Sequence, residues 1–119
     1  MRPYHHLAGN DCAEIADALD LAIRAKSDRS AVAILVGLSG ISVPIASAIL
    51  TVLMPNRFTV IDFRALESLG VRRTVTDRSI GFYLKYLNFC RSLAAERGVS
   101  LRELDRALWQ WSKNRAGRR

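Results

Sequence analysis

The turn around Gly40 is the part of this sequence best suited to binding chemistry. Gly40 sits between Leu38-Ser39 and Ile41-Ser42, and a glycine lets the backbone take an uncommon conformation and come close to a ligand. The backbone amides that open the next helix, at Ser42 and Val43, can then face a phosphate, helped by the helix dipole. Gly40, Ile41, Ser42 and Val43 are therefore candidate DNA-binding residues that hold a phosphate without reading sequence. A plain corner between two helices of the core is the alternative.

The helices that must position this turn belong to a pattern that is helical throughout. Capping residues, glycines and prolines predict a first helix from Asp11, then helices at 31–38 (capped by Ser30), 43–53 and 63–69. A long helix follows, which starts at Asp77 or Ser79 and reaches Arg97, and a last helix covers 101–113. No β-alternation, internal repeat or low-complexity linker interrupts them. The sequence thus predicts an all-α, compact bundle of five to six helices containing a helix-hairpin-helix motif. It forms one domain over residues 1–119, with 1–9 and 114–119 as flexible tails.

Asp62 is the candidate catalytic residue. This assignment comes from a resemblance to a known protein family and not from the residues next to Asp62 in the sequence. The order of hairpin, helix, Pro55, Val60-Ile61, Asp62 and short helix, over about residues 34–70, resembles the helix-hairpin-helix DNA glycosylases of the endonuclease III type. Asp62 lies 22 positions after Gly40. The resemblance implies that its carboxylate stabilises positive charge on the deoxyribose as the base leaves. The residues alone indicate a simpler role, a helix cap before Phe63.

Four features of the sequence depart from that family. Ser42 occupies the second glycine position of the hairpin, and Arg64 replaces the histidine that usually lies two residues after the aspartate. Pro44 stands where lyase-type members place their Schiff-base lysine, so we expect no lyase activity. About thirty residues precede the first hairpin helix, too few for the helices that form much of the family's base pocket, and a flipped base needs such a pocket.

The charge of the chain favours an anionic partner. Lys and Arg number 18 against 11 Asp and Glu, a formal charge of +7, which points first to nucleic acid and second to an acidic membrane surface. Arg72, Arg73 and Arg78 cluster after Gly70 and, with Arg64, are further candidate DNA-binding residues. A solvated face is the alternative for such a cluster.

Several other features lead to ordinary structural interpretations. Residues 31–56 carry no charge, but the Ser39–Pro44 turn divides them into pieces too short to cross a bilayer, so no membrane span is expected. Cys12 and Cys90 match no metal or redox spacing and are expected to be reduced, mostly buried thiols of a cytoplasmic protein without metal or cofactor. The aromatic residues predict a core stripe on one helix and two faces on the last: Phe82, Tyr83, Tyr86 and Phe89, then Trp109 and Trp111.

Three functions remain open on the sequence. The leading expectation is a non-sequence-specific DNA-binding protein, related to base-excision glycosylases but without catalysis, whose partner is the DNA phosphate backbone. The second is a monofunctional DNA glycosylase that uses Asp62. The third is a helical module for dimerisation or for binding another protein through an exposed tryptophan and the apolar hairpin faces.

Overall fold

Five α-helices form the described part of the chain. The computed structural model describes residues 9–61, residue 66 and residues 79–117. The helices are α1 (Cys12–Arg24), α2 (Asp28–Val36), α3 (Val43–Leu53), α4 (Ile80–Arg97) and α5 (Leu101–Gly117), and no strand occurs among the described residues. The all-α class predicted from the sequence is therefore confirmed. The predicted helix at 63–69 lies outside the described residues, apart from the helical Leu66.

Local capping accounts for the starts of α4 and α5. Of the two starts predicted for α4, the structure has Ser79 as the N-cap residue, and the predicted start of α5 is confirmed. The Ser79 hydroxyl accepts a hydrogen bond from the Phe82 amide at 3.1 Å. Ser100 and Glu103 form a capping box, in which the Ser100 amide donates to the Glu103 carboxylate at 2.9 Å and the Glu103 amide donates to the Ser100 hydroxyl at 3.1 Å. Gly98 ends α4 with a φ of 67°, a left-handed conformation that favours glycine. α5 continues four residues beyond its predicted end, through Gly117.

The start of α2 differs from the prediction. Ser27, not Ser30, is the N-cap residue: its hydroxyl accepts from the Ser30 amide at 3.0 Å, so the helix begins three residues earlier than expected, at Asp28. The sequence offers two serines of similar capping ability. The earlier one prevails because it places Asp28 in the first turn, where a carboxylate suits the helix dipole and meets two arginines described below.

The core centres on α2, which packs against α1, α3 and α4, while α5 packs against α4. The largest fully buried side chains are Tyr83, Phe58, Leu35, Leu50, Leu87, Val32, Cys90 and Ser47. The predicted aromatic stripe on α4 is confirmed for Tyr83 and Tyr86 but wrong for Phe89, which is 52% exposed. The predicted burial of the cysteines is confirmed for Cys90 and wrong for Cys12, which is exposed. Both are free thiols. No described helix combines the length and apolar character that a membrane crossing needs.

Residues 54–61, which we call the crossing segment, run through the core between α3 and α4 without regular secondary structure. Phe58, Thr59 and Ile61 within it are buried. The Tyr83 hydroxyl donates to the Thr59 carbonyl at 2.8 Å, and the Ile61 amide donates to the Ser47 hydroxyl at 3.1 Å. These side chains supply the partners that a buried backbone would otherwise lack.

An ion cluster fastens the crossing segment to α2 and α4. The Asp28 carboxylate accepts from Arg57 Nε at 3.0 Å and from Arg91 Nη1 at 2.7 Å, and Arg91 Nε also donates to the Arg57 carbonyl at 3.1 Å. We call Asp28, Arg57 and Arg91 the arginine cluster. Both guanidinium groups lie near the Phe58 ring, at 4.9 and 5.9 Å from its centroid. The hydrogen bond from Arg91 lowers the pKa of Asp28, with a further contribution from Arg57 and against the opposing effect of burial.

The lowered pKa of Asp28 predicts an acid-sensitive contribution to stability. Asp28→Asn leaves two partly buried guanidinium groups without their carboxylate, and we expect it to lower the free energy of unfolding by about 2 kcal/mol at pH 7. Since the folded pKa lies below the unfolded value, the contribution is complete above about pH 5 and is lost as the pH falls through the folded pKa. Denaturant unfolding of both proteins from pH 7 to pH 2.5 measures the difference, which should shrink in acid.

The matched control is Asp20→Asn. Asp20 pairs with Arg24 at 2.7 Å on α1, but both side chains are more than 60% exposed, so the expected loss is below about 0.5 kcal/mol. Equal losses at Asp28 and Asp20 would contradict a special role for the arginine cluster.

The Ser47 hydroxyl gives a second prediction. Ser47→Ala leaves the buried Ile61 amide without its acceptor, and such a loss costs about 1–3 kcal/mol. Thr51→Val on the same helix removes a hydroxyl that donates only to the Ser47 carbonyl, so it should change stability by less than about 0.5 kcal/mol. Chemical denaturation measures the free energy of unfolding of both variants. If Ser47→Ala lowers it as little as Thr51→Val does, the hydrogen bond between Ser47 and Ile61 does not stabilise the fold.

Candidate functional site

The predicted turn between α2 and α3 has the backbone conformation that requires its glycine. Gly40 has a φ of 77°, in the left-handed region that a residue with a side chain rarely adopts. The Ile41 amide closes the turn by donating to the Leu38 carbonyl at 3.3 Å. Ser42 then takes an extended conformation (φ −85°, ψ 171°) as the N-cap residue of α3. The sequence-based assignment of Ser42 as the cap is therefore confirmed.

Buried and exposed residues alternate along this turn. Ile41 and Val43 are 6% and 7% exposed and belong to the core, whereas Gly40 and Ser42 are exposed. The side chains of Ile41 and Val43 are therefore not available to a ligand. The Ser42 hydroxyl makes no capping hydrogen bond to α3, although the Ser42 carbonyl accepts from the Ala46 amide at 2.9 Å in the usual helical way.

The first turn of α3 offers amides and no competing charge. The amides that begin a helix have no acceptor within it, and the hydrogen bonds found among residues 9–61, 66 and 79–117 include none from the amides of Ser42 and Val43. Pro44 follows and has no amide hydrogen to contribute. The first helical turn of α3 contains no acidic residue, so no carboxylate within it competes with an incoming anion.

An asparagine far away in the sequence braces the turn. The Asn10 side chain donates from Nδ2 to the Ser39 carbonyl at 3.0 Å and accepts at Oδ1 from the Ser39 amide at 3.0 Å. The neighbouring Gly9 lies so close that a Cβ atom on it would stand 3.2 Å from the Ser39 Cβ. Sequence reasoning missed this contact, since a separation of 29 residues leaves no local signal. The start of α1 thus fixes the residue before Gly40.

The other predicted site residues lie outside the described part of the chain: Asp62, Arg64, Arg72, Arg73 and Arg78. Ile61, the residue before Asp62, is 4% exposed. The Ile61 amide donates to Ser47 Oγ, and that hydroxyl donates in turn to the Pro44 carbonyl at 2.7 Å. The residue immediately before Asp62 is therefore tied through one side chain to the same end of α3 that carries Ser42.

The outer face of α5 is a second set of residues able to bind a ligand, and sequence reasoning did not assemble it. Lys113 places its Nζ atom 5.0 Å from the centroid of the Trp109 ring, and Arg102 and Arg106 lie on the same side of the helix. The sequence placed Trp109 and Trp111 on different faces of the helix, which pointed to one exposed tryptophan, and both are exposed, at 44% and 42%. The recurrence of cations and an aromatic at i, i+4, i+7 and i+11 was the available signal.

The described turn can bind an anion through backbone amides and a hydroxyl, and the face of α5 can bind one through cations beside an aromatic ring. Among the described residues, no three His, Cys, Asp or Glu side chains come together to hold a metal ion. Comparisons of this chain with models of protein families, with curated proteins and with solved structures found no match.

Proposed function

We propose that this chain binds DNA through the sugar-phosphate backbone, without reading its sequence. The observation that carries the proposal is the turn itself. Gly40 takes a positive φ and is followed by an exposed cap residue, Ser42, held between two buried anchors, Ile41 and Val43. Such a turn presents backbone donors at a fixed place on the surface while its side chains hold it to the core.

The binding mode follows from the donors available. The amides of Ser42 and Val43 and the hydroxyl of Ser42 donate to the oxygens of one phosphate, at the positive end of the α3 dipole. These groups meet the backbone of the nucleic acid and not the base edges, so they fix position without specifying sequence. The formal charge of +7 attracts the polyanion over longer distances. Arg64, Arg72, Arg73 and Arg78 are proposed as additional phosphate contacts.

The first test is binding of a fluorescently labelled duplex of mixed sequence across a series of salt concentrations. We expect dissociation constants in the micromolar range at low salt, similar for unrelated sequences. Because each neutralised phosphate releases counterions, about four contacts should make log K fall with log salt concentration with a slope of roughly −3 to −4. Absence of binding at low salt, or a slope near zero, would remove the proposal.

A charge placed at the cap residue tests the turn directly. Ser42→Asp keeps a good N-cap but sets a carboxylate where the phosphate would lie, and we expect it to weaken duplex binding at least about tenfold. Ser27→Asp makes the same substitution at the exposed cap of α2 and should change binding by less than about twofold. Thermal unfolding checks that both variants fold. Equal weakening by the two would attribute binding to net charge and not to the turn.

A second candidate function, removal of a base by Asp62, is favoured by one observation. The amide of Ile61 is tied through Ser47 to the first turn of α3, so the chain enters Asp62 from the end of α3 that is proposed to hold the phosphate. On this proposal, the carboxylate stabilises positive charge on the deoxyribose as the base departs.

Oligonucleotides carrying uracil, alkylated or oxidised bases, treated with the protein and then with alkali, test this activity. A strand break with wild type that disappears with Asp62→Asn is the expected result. Cleavage that persists in Asp62→Asn would assign the activity to another residue. If the protein binds the oligonucleotides but cleaves none of them, it is a binding protein without this activity.

A further inference from the structure

One face of α5 combines positive charge with an exposed aromatic ring. Positions 102, 106, 109 and 113 recur at i, i+4, i+7 and i+11, so they lie within an arc of about 60° around the helix. They are Arg102, Arg106, Trp109 and Lys113, and we call this set the basic face. Leu101, Leu104 and Leu108 lie on the opposite side of α5, packed against the core.

The basic face adjoins a hollow between α5 and the end of α3. Arg102 and Arg106 line this hollow, whose volume is about 340 Å³. The remaining lining residues are Thr51, Val52, Pro55 and Asp105. Val52 is 82% exposed, so an apolar edge stands opposite the two guanidinium groups. The α5 wall of the hollow therefore carries two cations and one carboxylate, and the opposite wall carries small or apolar groups.

The charges of the basic face are available to a ligand. Arg102, Arg106 and Lys113 are exposed and take part in none of the ion pairs found among the described residues. Glu103 lies about 90° around the helix from the centre of the face, and its carboxylate already accepts from the Ser100 amide. Asp105, on the other side, is half-buried. The acidic residues of α5 therefore flank the basic face without dividing it.

The aromatic ring distinguishes between anionic partners. Trp109 is 44% exposed, with the Lys113 ammonium 5.0 Å from its ring centroid, so part of the ring stays open between the cations. An unpaired base can stack on such a ring, whereas a paired base within a duplex offers only its edge. An anionic membrane is a poorer match, because the apolar side of α5 is packed in the core and cannot enter lipid.

We propose that the basic face binds single-stranded nucleic acid, with Trp109 stacked on an unpaired base and Arg102, Arg106 and Lys113 on the neighbouring phosphates. The surface is distinct from the turn at Gly40. The hollow meets α3 at Thr51 and Val52, near the end of the helix, whereas the turn precedes its start. The rise of α3 from Val43 to Thr51 and Val52 separates the two surfaces by about 12–14 Å along the helix axis. Binding of a single strand therefore does not depend on the duplex-binding proposal.

The experiment measures binding of a labelled fifteen-nucleotide oligothymidine and of a labelled duplex to the full chain. Trp109→Leu removes the ring and keeps an apolar side chain, and we expect single-strand affinity to fall at least about tenfold while duplex affinity stays within about twofold. Trp109→Phe retains an aromatic ring and should recover most of the affinity. Trp111→Leu is the matched control, since Trp111 has nearly the same exposure on another side of α5, and it should have little effect.

The cations are tested in the same assay. Arg102→Gln with Arg106→Gln should weaken single-strand binding and reduce the salt slope by about 1.5, the effect of two lost phosphate contacts on a single strand. Ser42→Asp should leave this binding unchanged, so failure of the turn and failure of the basic face are distinguishable. Thermal unfolding verifies that each variant folds.

Three results would overturn the proposal. Equal losses from Trp109→Leu and Trp111→Leu would show that stacking on Trp109 is not used. An unchanged salt slope in the double arginine variant would exclude the phosphate contacts. A labelled polyglutamate peptide of equal charge, bound as tightly as oligothymidine and with the same sensitivity to Trp109→Leu, would assign the face to acidic protein partners instead.

Discussion

The need to pair buried backbone groups in the crossing segment is the constraint on which the rest of the fold depends. Helices satisfy most of their own amides and carbonyls, whereas the crossing segment pairs only some of its own, such as the Arg57 and Phe58 amides with the Met54 carbonyl, and loses water as it is buried. Residues 54–61 take partners from two helices: Ser47 of α3 for the Ile61 amide, and Tyr83 and Arg91 of α4 for two carbonyls. The positions of α3 and α4 are thereby fixed by directed bonds as well as by apolar contact.

Apolar burial supplies most of the stabilisation here, and the polar groups determine the arrangement. Phe58 is fully buried, which contributes about 1.5–3 kcal/mol. The arginine cluster surrounding it is between a quarter and a third exposed, so the attraction between its charges is largely offset by the loss of hydration. Its main effect is on geometry. Arg57 also donates to the carbonyls of Ala25 and Lys26, so one side chain holds the end of α1 against the crossing segment.

The features that the sequence could predict are those set by residues three or four apart. The capping box at Ser100 and the helix end at Gly98 are local features and agree with the prediction, and Ser79 is one of the two caps that the sequence allowed for α4. Hydrogen bonds between residues 24 to 63 positions apart, such as Tyr83 with Thr59 and Arg91 with Asp28, depend on how the helices pack. Helical periodicity does not predict that packing.

The same limit explains the individual errors. Ser27 and Ser30 are equivalent as caps, and tertiary contacts of Asp28 decide between them. Phe89 follows the buried Tyr86 by three residues, but it lies about 60° around the helix on the side away from the other buried residues of α4, Tyr83, Leu87 and Cys90. For the candidate site, Gly40 and Ser42 were identifiable because a turn glycine and a cap have local signatures. Asn10, which holds Ser39 from 29 residues away, was not.

The absence of charge on α3 bears on how this chain would distinguish between nucleic acids. α3 is packed through Ala46, Ser47 and Leu50 and carries no ionisable side chain, so its start offers a phosphate only dipoles, which act over short distances and demand a close fit. The cations of α5 act over longer distances and tolerate variation in geometry, whereas its tryptophan demands an unpaired base. On the two proposals made above, the turn would select for backbone shape and α5 for exposed bases. A duplex that ends in, or opens into, a single strand would satisfy both, since α3 sets the two surfaces a fixed distance apart.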